Sequence, residues 1–245
     1  MFPLIRGWTD VQRSPKANLG LGLVLSFVAG ATNAGGFLAV GSYTSHMTGI
    51  LSSVADELVL GHITLALAGL VCLLAFICGA MCTAIMVNWG LRQQLHSSYS
   101  LPLSLESVAL LVFGLFGSAI AAWSQMFVPV TVVLLCFIMG LQNAVITKIS
   151  KAEIRTTHIT GLVTDLGIEL GKLIYINRAH PASPVLANRQ RLRMHGSLVM
   201  GFLLGGLVGA LGFKHGGYIT TLPLAGLLWM LCLRPLWSDL RARAV

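Results

Sequence analysis

Apolar positions in this chain gather into long runs, and polar positions fall between them at repeated intervals. Leu19 to about Val40 is the first run, rich in Gly and interrupted by Thr32 and Asn33. Runs of the same kind extend from Thr64 to Val87, Leu105 to Trp123, Pro129 to Thr147, Gly196 to Phe213 and Gly217 to Leu233. A helix needs about 20 such residues to cross a hydrocarbon layer of about 30 Å. The pattern predicts six spanning helices. Two further runs, Thr48–Leu60 and His158–Ile174, are shorter. The first carries Ser52, Ser53, Asp56 and Glu57, the second Asp165, Glu169 and Lys172. Between the runs lie a polar step at 41–48, loops at 92–100 and 148–155, a turn at 125–128 and a basic loop at 177–193.

The order of these runs repeats. At an offset of 110, residues 26–34 match 136–144 at Phe, Gly, Asn and Ala. At an offset of 112, Thr44-Ser45-His46-Met47-Thr48-Gly49 matches Thr156-Thr157-His158-Ile159-Thr160-Gly161 at Thr, His, Thr and Gly, and Glu57-Leu58 matches Glu169-Leu170. A repeat as long as half the chain indicates a duplicated bundle, not a solenoid. The division is a 1–18 arm, a first repeat over 19–125, a second over 126–236 and a 237–245 tail.

Composition sharpens the class. The chain is 56% hydrophobic and 10% charged, against about 25% charged in a soluble domain. It reads as an integral membrane protein. The net charge of +8 follows from Lys and Arg gathering on the cytoplasmic side, so nucleic acid is not an expected partner. Cys72, Cys78, Cys82, Cys136 and Cys232 sit inside apolar runs without metal-ligand spacing; they read as small buried hydrophobes. No cleavable secretory signal is expected, because residues 1–16 are polar and basic and the first apolar run is too long.

Charge also decides whether the short runs cross. With eight spans, Asp165, Glu169 and Lys172 would lie in the apolar layer, at about 2.5–3.5 kcal/mol each near a helix centre. With six spans and the N-terminus inside, every Lys and Arg except Lys214 falls on the cytoplasmic side. The expected fold is therefore an all-α membrane protein with six full transmembrane helices, two short re-entrant or broken helices and two inverted structural repeats, a common transporter architecture. Both termini are expected in the cytoplasm. Eleven residues separate His46 from Glu57 and His158 from Glu169, about 16 Å of helix. The His steps can thus reach toward the midplane while the Glu residues reach opposite surfaces. Arg155, three residues before His158, reads as a positive-inside anchor, with lining of the inner entry the alternative.

Broken backbone inside a membrane is tolerated only when buried in protein or lining a wet cavity. Thr48-Gly49 and Thr160-Gly161 would start the short helices, with Thr as a cap and free N–H groups facing polar ligands. His46 and His158 would sit beside them, able to donate, accept or relay a proton. Asn33 and Asn143 offer donors and acceptors from the preceding spans. These eight residues are the candidate solute site, and His46, His158 and Asp165 the candidate proton relay. The alternative is structural: His and Thr simply cap helix starts and tie two halves together. Asp165 can pair with Lys172 or face a cytoplasmic vestibule, and Glu57, Glu169 and Lys172 read as interfacial. Gly201, Gly205 and Gly209 read as a helix-packing face. No motif of an enzyme active site occurs, and no catalytic residue, metal or cofactor is expected.

The Ser45–Gly49 step after a Gly-rich span, with Gly140–Ala144 and Arg155–Gly161, resembles the signatures of the YoaK-like family. The resemblance covers about residues 19 to 236. It implies a bacterial integral membrane protein carrying a domain of unknown function, and no catalytic residues. The family's first motif often continues with Asn after Gly; Ile50 and Leu162 stand there instead. The expected function is a small secondary transporter of a polar solute or ion in the bacterial inner membrane, with coupling to protons through the His pair as one form of it. A passive channel or facilitator and a non-transporting scaffold are the alternatives.

Overall fold

The structure is a computed structural model and describes residues 8–10, 14–123, 130–150, 154, 156–177 and 184–243. Arg155, the 125–128 turn and most of the N-terminal arm lie outside the described residues. The described residues form eight α-helices and no strand: α1 Pro15–Val40, α2 Met47–Val59, α3 Ile63–Arg92, α4 Ser100–Trp123, α5 Val130–Ile149, α6 Ile159–Ile174, α7 Arg189–Gly216 and α8 Thr221–Arg243. A 3₁₀ turn, Gly217–Thr220, joins α7 to α8.

Local chemistry sets the helix ends. Ser14 caps α1 by accepting from the Ala17 amide, with Pro15 in the first turn, where a missing N–H costs nothing. Gly41 ends α1 at φ 73°, its amide donating to the Phe37 carbonyl. Glycine adopts this left-handed conformation without a Cβ penalty. Phe37 then stacks on Tyr43, centroids 4.5 Å apart, and folds the chain back. Helices α4, α7 and α8 are among those that extend beyond the apolar runs. α4 begins at Ser100, taking Pro102 into its first turns. α7 begins at Arg189 because Asn188 caps it, accepting from the Gln190 and Arg191 amides. α8 runs through Pro235 into the basic tail. Proline there leaves the Leu231 carbonyl without its usual helical donor; the Thr9 hydroxyl donates to it at 3.1 Å. Asp239 then accepts from the amides of His96 and Ser97 at 3.0 and 2.8 Å, fixing the end of α8 to the α3–α4 loop.

The long helices pack in pairs: α1 on α7, α3 on α5 and α4 on α8. Each short helix lies on the long helix that follows it, α2 on α3 and α6 on α7. One motif builds the first two pairs. Phe-x-x-Gly occurs as Phe27/Gly30 in α1, Phe76/Gly79 in α3, Phe137/Gly140 in α5 and Phe202/Gly205 in α7. Gly30 lies against the Phe202 carbonyl and Gly205 against that of Phe27; Gly79 lies against the Phe137 carbonyl and Gly140 against that of Phe76. A Cβ at any of the four would overlap the facing backbone. Close backbone approach through small residues is the main source of helix association where lipid offers no hydrophobic drive.

α1 and α5 cross near the middle of the molecule. The Gln142 amide donates to the Leu25 carbonyl at 2.9 Å, while Gly36 lies beside Leu135. Rising numbers on α1 thus meet falling numbers on α5, so these two helices run antiparallel. Buried and half-buried positions follow the same order in 21–36 and in 131–146, residue for residue. Leu25, Val28, Phe113, Leu135, Met139 and Leu198 belong to the main core, and none is exposed.

The outer surface is apolar along whole helices. Leu67, Leu70, Leu74, Ile77, Met81 and Ile85 line one face of α3, and Met200, Leu203, Leu204, Leu207 and Leu211 one face of α7, all exposed. Faces of this extent are unusual on a soluble monomer and suit lipid. Five segments of the described residues are long and apolar enough to cross a membrane: Lys16–Leu38, Ile63–Arg92, Ser100–Gly117, Val130–Ile149 and Arg189–Ala242, the last containing both α7 and α8. The chain is an all-α membrane protein.

Candidate functional site

His46 and His158, not the Thr-Gly pairs, occupy the N-cap positions of α2 and α6. Their backbones nearly coincide, with φ, ψ of −94°, 69° and −83°, 55°, near the inverse γ-turn. Neither imidazole makes a capping hydrogen bond. Each ring instead folds over the glycine three residues on, and a Cβ at Gly49 or Gly161 would overlap it. This explains the motif spacing: the ring needs a residue without a side chain at that place. Thr48 and Thr160 are second helical residues and exposed. The Thr160 carbonyl accepts from Thr164 at 2.9 Å.

The asparagines fix the turn before each histidine. Asn33 Oδ1 accepts from the Ser45 hydroxyl at 2.8 Å and from the Ser45 amide at 3.3 Å. Asn143 Oδ1 accepts from the Thr157 hydroxyl at 2.5 Å, and its Nδ2 donates to the Met139 carbonyl at 2.8 Å. In each half the Asn of the long helix holds the hydroxyl residue before the His. The structure therefore joins Asn33 to Ser45 and Asn143 to Thr157. It places each His over its own Gly, and neither histidine bonds to the other.

Beside Ser45 and Thr157 stand Thr44 and Thr156, both fully buried. Their hydroxyls make no hydrogen bond among the described residues, nor do those of Thr32 and the Oε1 of Gln142. Thr32 corresponds to Gln142 at the 110 offset, and Thr44 to Thr156 at 112. Buried polar groups are nearly always paired, so four unpaired atoms at matched places of the two halves stand out. A cavity of about 480 Å³ opens at the first of them. It is lined by Thr44, His46, Gly49, Ser53, Gly69 and Cys72 among others, a size usual for a small-molecule site.

The family described as "Protein of unknown function (DUF1275)" matches the chain over residues 21–233. The chain belongs to this family. The UPF0700 transmembrane protein YoaK of Bacillus subtilis (strain 168) is 28% identical over 146 residues, 58% of this chain and 63% of that relative. The chain thus spans under two thirds of that relative's length. No solved structure matches it.

In this family member the second half is more polar than the first. His195 of α7 stands where α3 has Gly69, and Asp165 where α2 has Ser53. Asp165 Oδ2 lies 3.9 Å from His195 Nδ1, too far for a hydrogen bond. Asp165 therefore faces His195 and not Lys172. Lys172 instead donates to Glu169 Oε1 at 2.8 Å. His158 and Asp165, seven residues apart, share one face of α6.

Glu57 and Glu169 do more than mark an interface. Glu57 Oε2 lies 2.7 Å from Nδ1 of His62, the N-cap residue of α3. Glu169 Oε2 accepts from the amide of Asn188, the N-cap residue of α7, at 2.6 Å. Each ties its short helix to the start of the next long one. At the end of α6, outside the candidate spans, Lys172 and the Asn188 amide hold the Glu169 carboxyl below the usual carboxylate range. Sequence reasoning missed His195 and Glu106. Glu106 of α4 is fully buried, and neither carboxylate oxygen has a hydrogen-bond partner among the described residues. Its signal was a lone carboxylate at the start of an apolar run.

Proposed function

We infer that the protein is a small secondary transporter of a polar solute, working by alternating access between two inverted repeats, and is not an enzyme. In this reading α1, α3, α4, α5, α7 and α8 span the membrane, and α2 and α6 enter and return. The observation that carries it is the matched set of unpaired buried groups, Thr32 and Thr44 in one half and Gln142 and Thr156 in the other. An unpaired hydroxyl in a membrane interior has a free-energy cost, which a passing polar solute or water offsets. The antiparallel crossing of α1 and α5 and the reciprocal Phe-x-x-Gly contacts support inversion, because equivalent helices point in opposite directions. Fifteen of the sixteen basic residues then face the cytoplasm, as the charge rule requires. Both termini are cytoplasmic in the bacterial inner membrane.

The proton-coupled form of the proposal uses His158, Asp165 and His195, and His46 beside the cavity. The cavity favours a carrier over a continuous channel. It lies beside the first half, while His195 replaces Gly69 at the matching place in the second.

The test is purified protein in liposomes, screened against small polar solutes with and without an imposed pH gradient. Thr44→Val and Thr156→Val each remove one unpaired hydroxyl while keeping shape. Both variants should hold or gain thermal stability and lose flux of the identified solute. Undiminished flux in the stable double variant would refute this role of the two hydroxyls. Flux indifferent to the pH gradient would assign a facilitator, and no flux of any solute would leave the scaffold reading.

A further inference from the structure

Cys72 of α3 and Cys136 of α5 are buried in one small cluster with Ala75 and Val132. Both also stand in the wall of the 480 Å³ cavity. Helix packing places them opposite each other. α3 and α5 run in the same direction, since Thr83 donates to the Leu141 carbonyl and Lys148 to Asn88 further along both. Phe76 touches Gly140, and Cys72 and Cys136 each stand one turn before that contact. The matching positions in the other half are Ser26 and Leu198. There the Ser26 hydroxyl donates to the Leu198 carbonyl at 2.8 Å, so that pair is in contact too. Gly79 lies against the Phe137 carbonyl and Gly140 against that of Phe76, with no room for a Cβ at either, so the two backbones approach closely. Close approach is what a disulfide requires, with Cα atoms about 4.4–6.8 Å apart.

We propose that Cys72 and Cys136 form a dithiol site, reached through the cavity, which small organic disulfides oxidise to an internal disulfide joining α3 to α5. One cysteine thiolate attacks a sulfur of the small disulfide, forming a mixed disulfide and expelling one thiolate. The second cysteine attacks the cysteine sulfur of that intermediate, closing the internal bond and expelling the second thiolate. The two protons leaving the cysteines appear on the two small thiols, so the protein is oxidised by two electrons and the reagent reduced by two. A metal site fits less well. Among the described residues no group of three or more His, Cys, Asp or Glu gathers, whereas structural zinc takes four ligands. Cys82 donates to the Met86 sulfur instead, and Cys232 lies in the main core. The site does not depend on transport of any solute.

The experiment treats reduced, full-length protein in detergent with 4,4′-dithiodipyridine and follows released thiopyridone, intact mass and peptide maps. Peptides holding Cys72 and Cys136 should become joined, with two hydrogens lost and no pyridyl group kept on either. In Cys72→Ser, Cys136 should retain a pyridyl group, and in Cys136→Ser, Cys72 should. Ser53→Trp, which fills the cavity, should slow closure of the bond without lowering thermal stability. Two pyridyl groups retained on Cys72 and Cys136 of one molecule would overturn the pairing. Failure of both thiols to react in folded wild-type protein would overturn access through the cavity. The peptide map of the wild type decides the pairing even if a serine variant misfolds.

Discussion

Alanine at Gly30 would set a methyl group 2.9 Å from the carbonyl carbon of Phe202 and 3.0 Å from the amide nitrogen of Gly206, with the Phe202 oxygen nearer still. Carbon atoms rest at about 3.5–4.0 Å from their neighbours, so clearing the Phe202 oxygen requires α1 and α7 to part by more than roughly 1 Å. A radial gap of about 1 Å already forfeits about half of each affected dispersion contact. Gly205 and Gly209 lie in the same seam against Phe27 and Ala31 and lose contact with it. Overpacking of this kind costs about 1–3 kcal/mol. Removing a mid-helix glycine returns about 0.5–1 kcal/mol, which leaves a net loss of about 0.5–2 kcal/mol. The control is Gly226→Ala in α8, where a Cβ meets nothing within 4 Å and only the helix gain of about 0.5–1 kcal/mol remains. Reversible unfolding in mixed micelles should lower the midpoint of Gly30→Ala and raise that of Gly226→Ala. Gly140→Ala, whose Cβ would stand 2.9 Å from the Phe76 carbonyl carbon, should match Gly30→Ala in sign and size. Equal stability of Gly30→Ala and Gly226→Ala would refute the account of the seam.

Two further outcomes follow from the hydrogen-bond geometry. Asn33→Leu leaves the Ser45 amide and hydroxyl without their acceptor and should cost about 1–3 kcal/mol; Asn143→Leu should cost a similar amount, and thermal unfolding of the pair would expose any inequality between the halves. Glu169 has a depressed carboxyl, so its contribution is complete above its unfolded pKa of about 4.3 and is lost as pH falls through the lower folded value. Wild-type stability should therefore drop more steeply than that of Glu169→Gln below about pH 4, as read from unfolding midpoints across an acid series; parallel curves would remove Glu169 from the α6–α7 tie.

The sequence by itself determined the helical class, the order of long and short helices and the places where the chain breaks. Bilayer thickness dictates the length of each apolar run, and Gly41 and the two His-x-Thr-Gly steps announce their turns through local stereochemistry. The duplicated motifs also exposed the 110 and 112 offsets, because these segments lie close together in each half. The third correspondence, between Phe76/Gly79 and Phe202/Gly205, sits at an offset of 126. The longer α6–α7 connection shifts it out of register, so Phe-x-x-Gly emerges as one motif only from the packing, which sets each glycine against a phenylalanine carbonyl of another helix. Only the tertiary structure decided that the histidines, not the threonines, hold the N-cap positions with their rings laid over a glycine and not capping, since ring placement depends on the empty space above that glycine. It alone brought Asp165 to His195 and set Cys72 beside Cys136. These groups lie far apart along the chain, and no local pattern encodes which faces of two helices will meet.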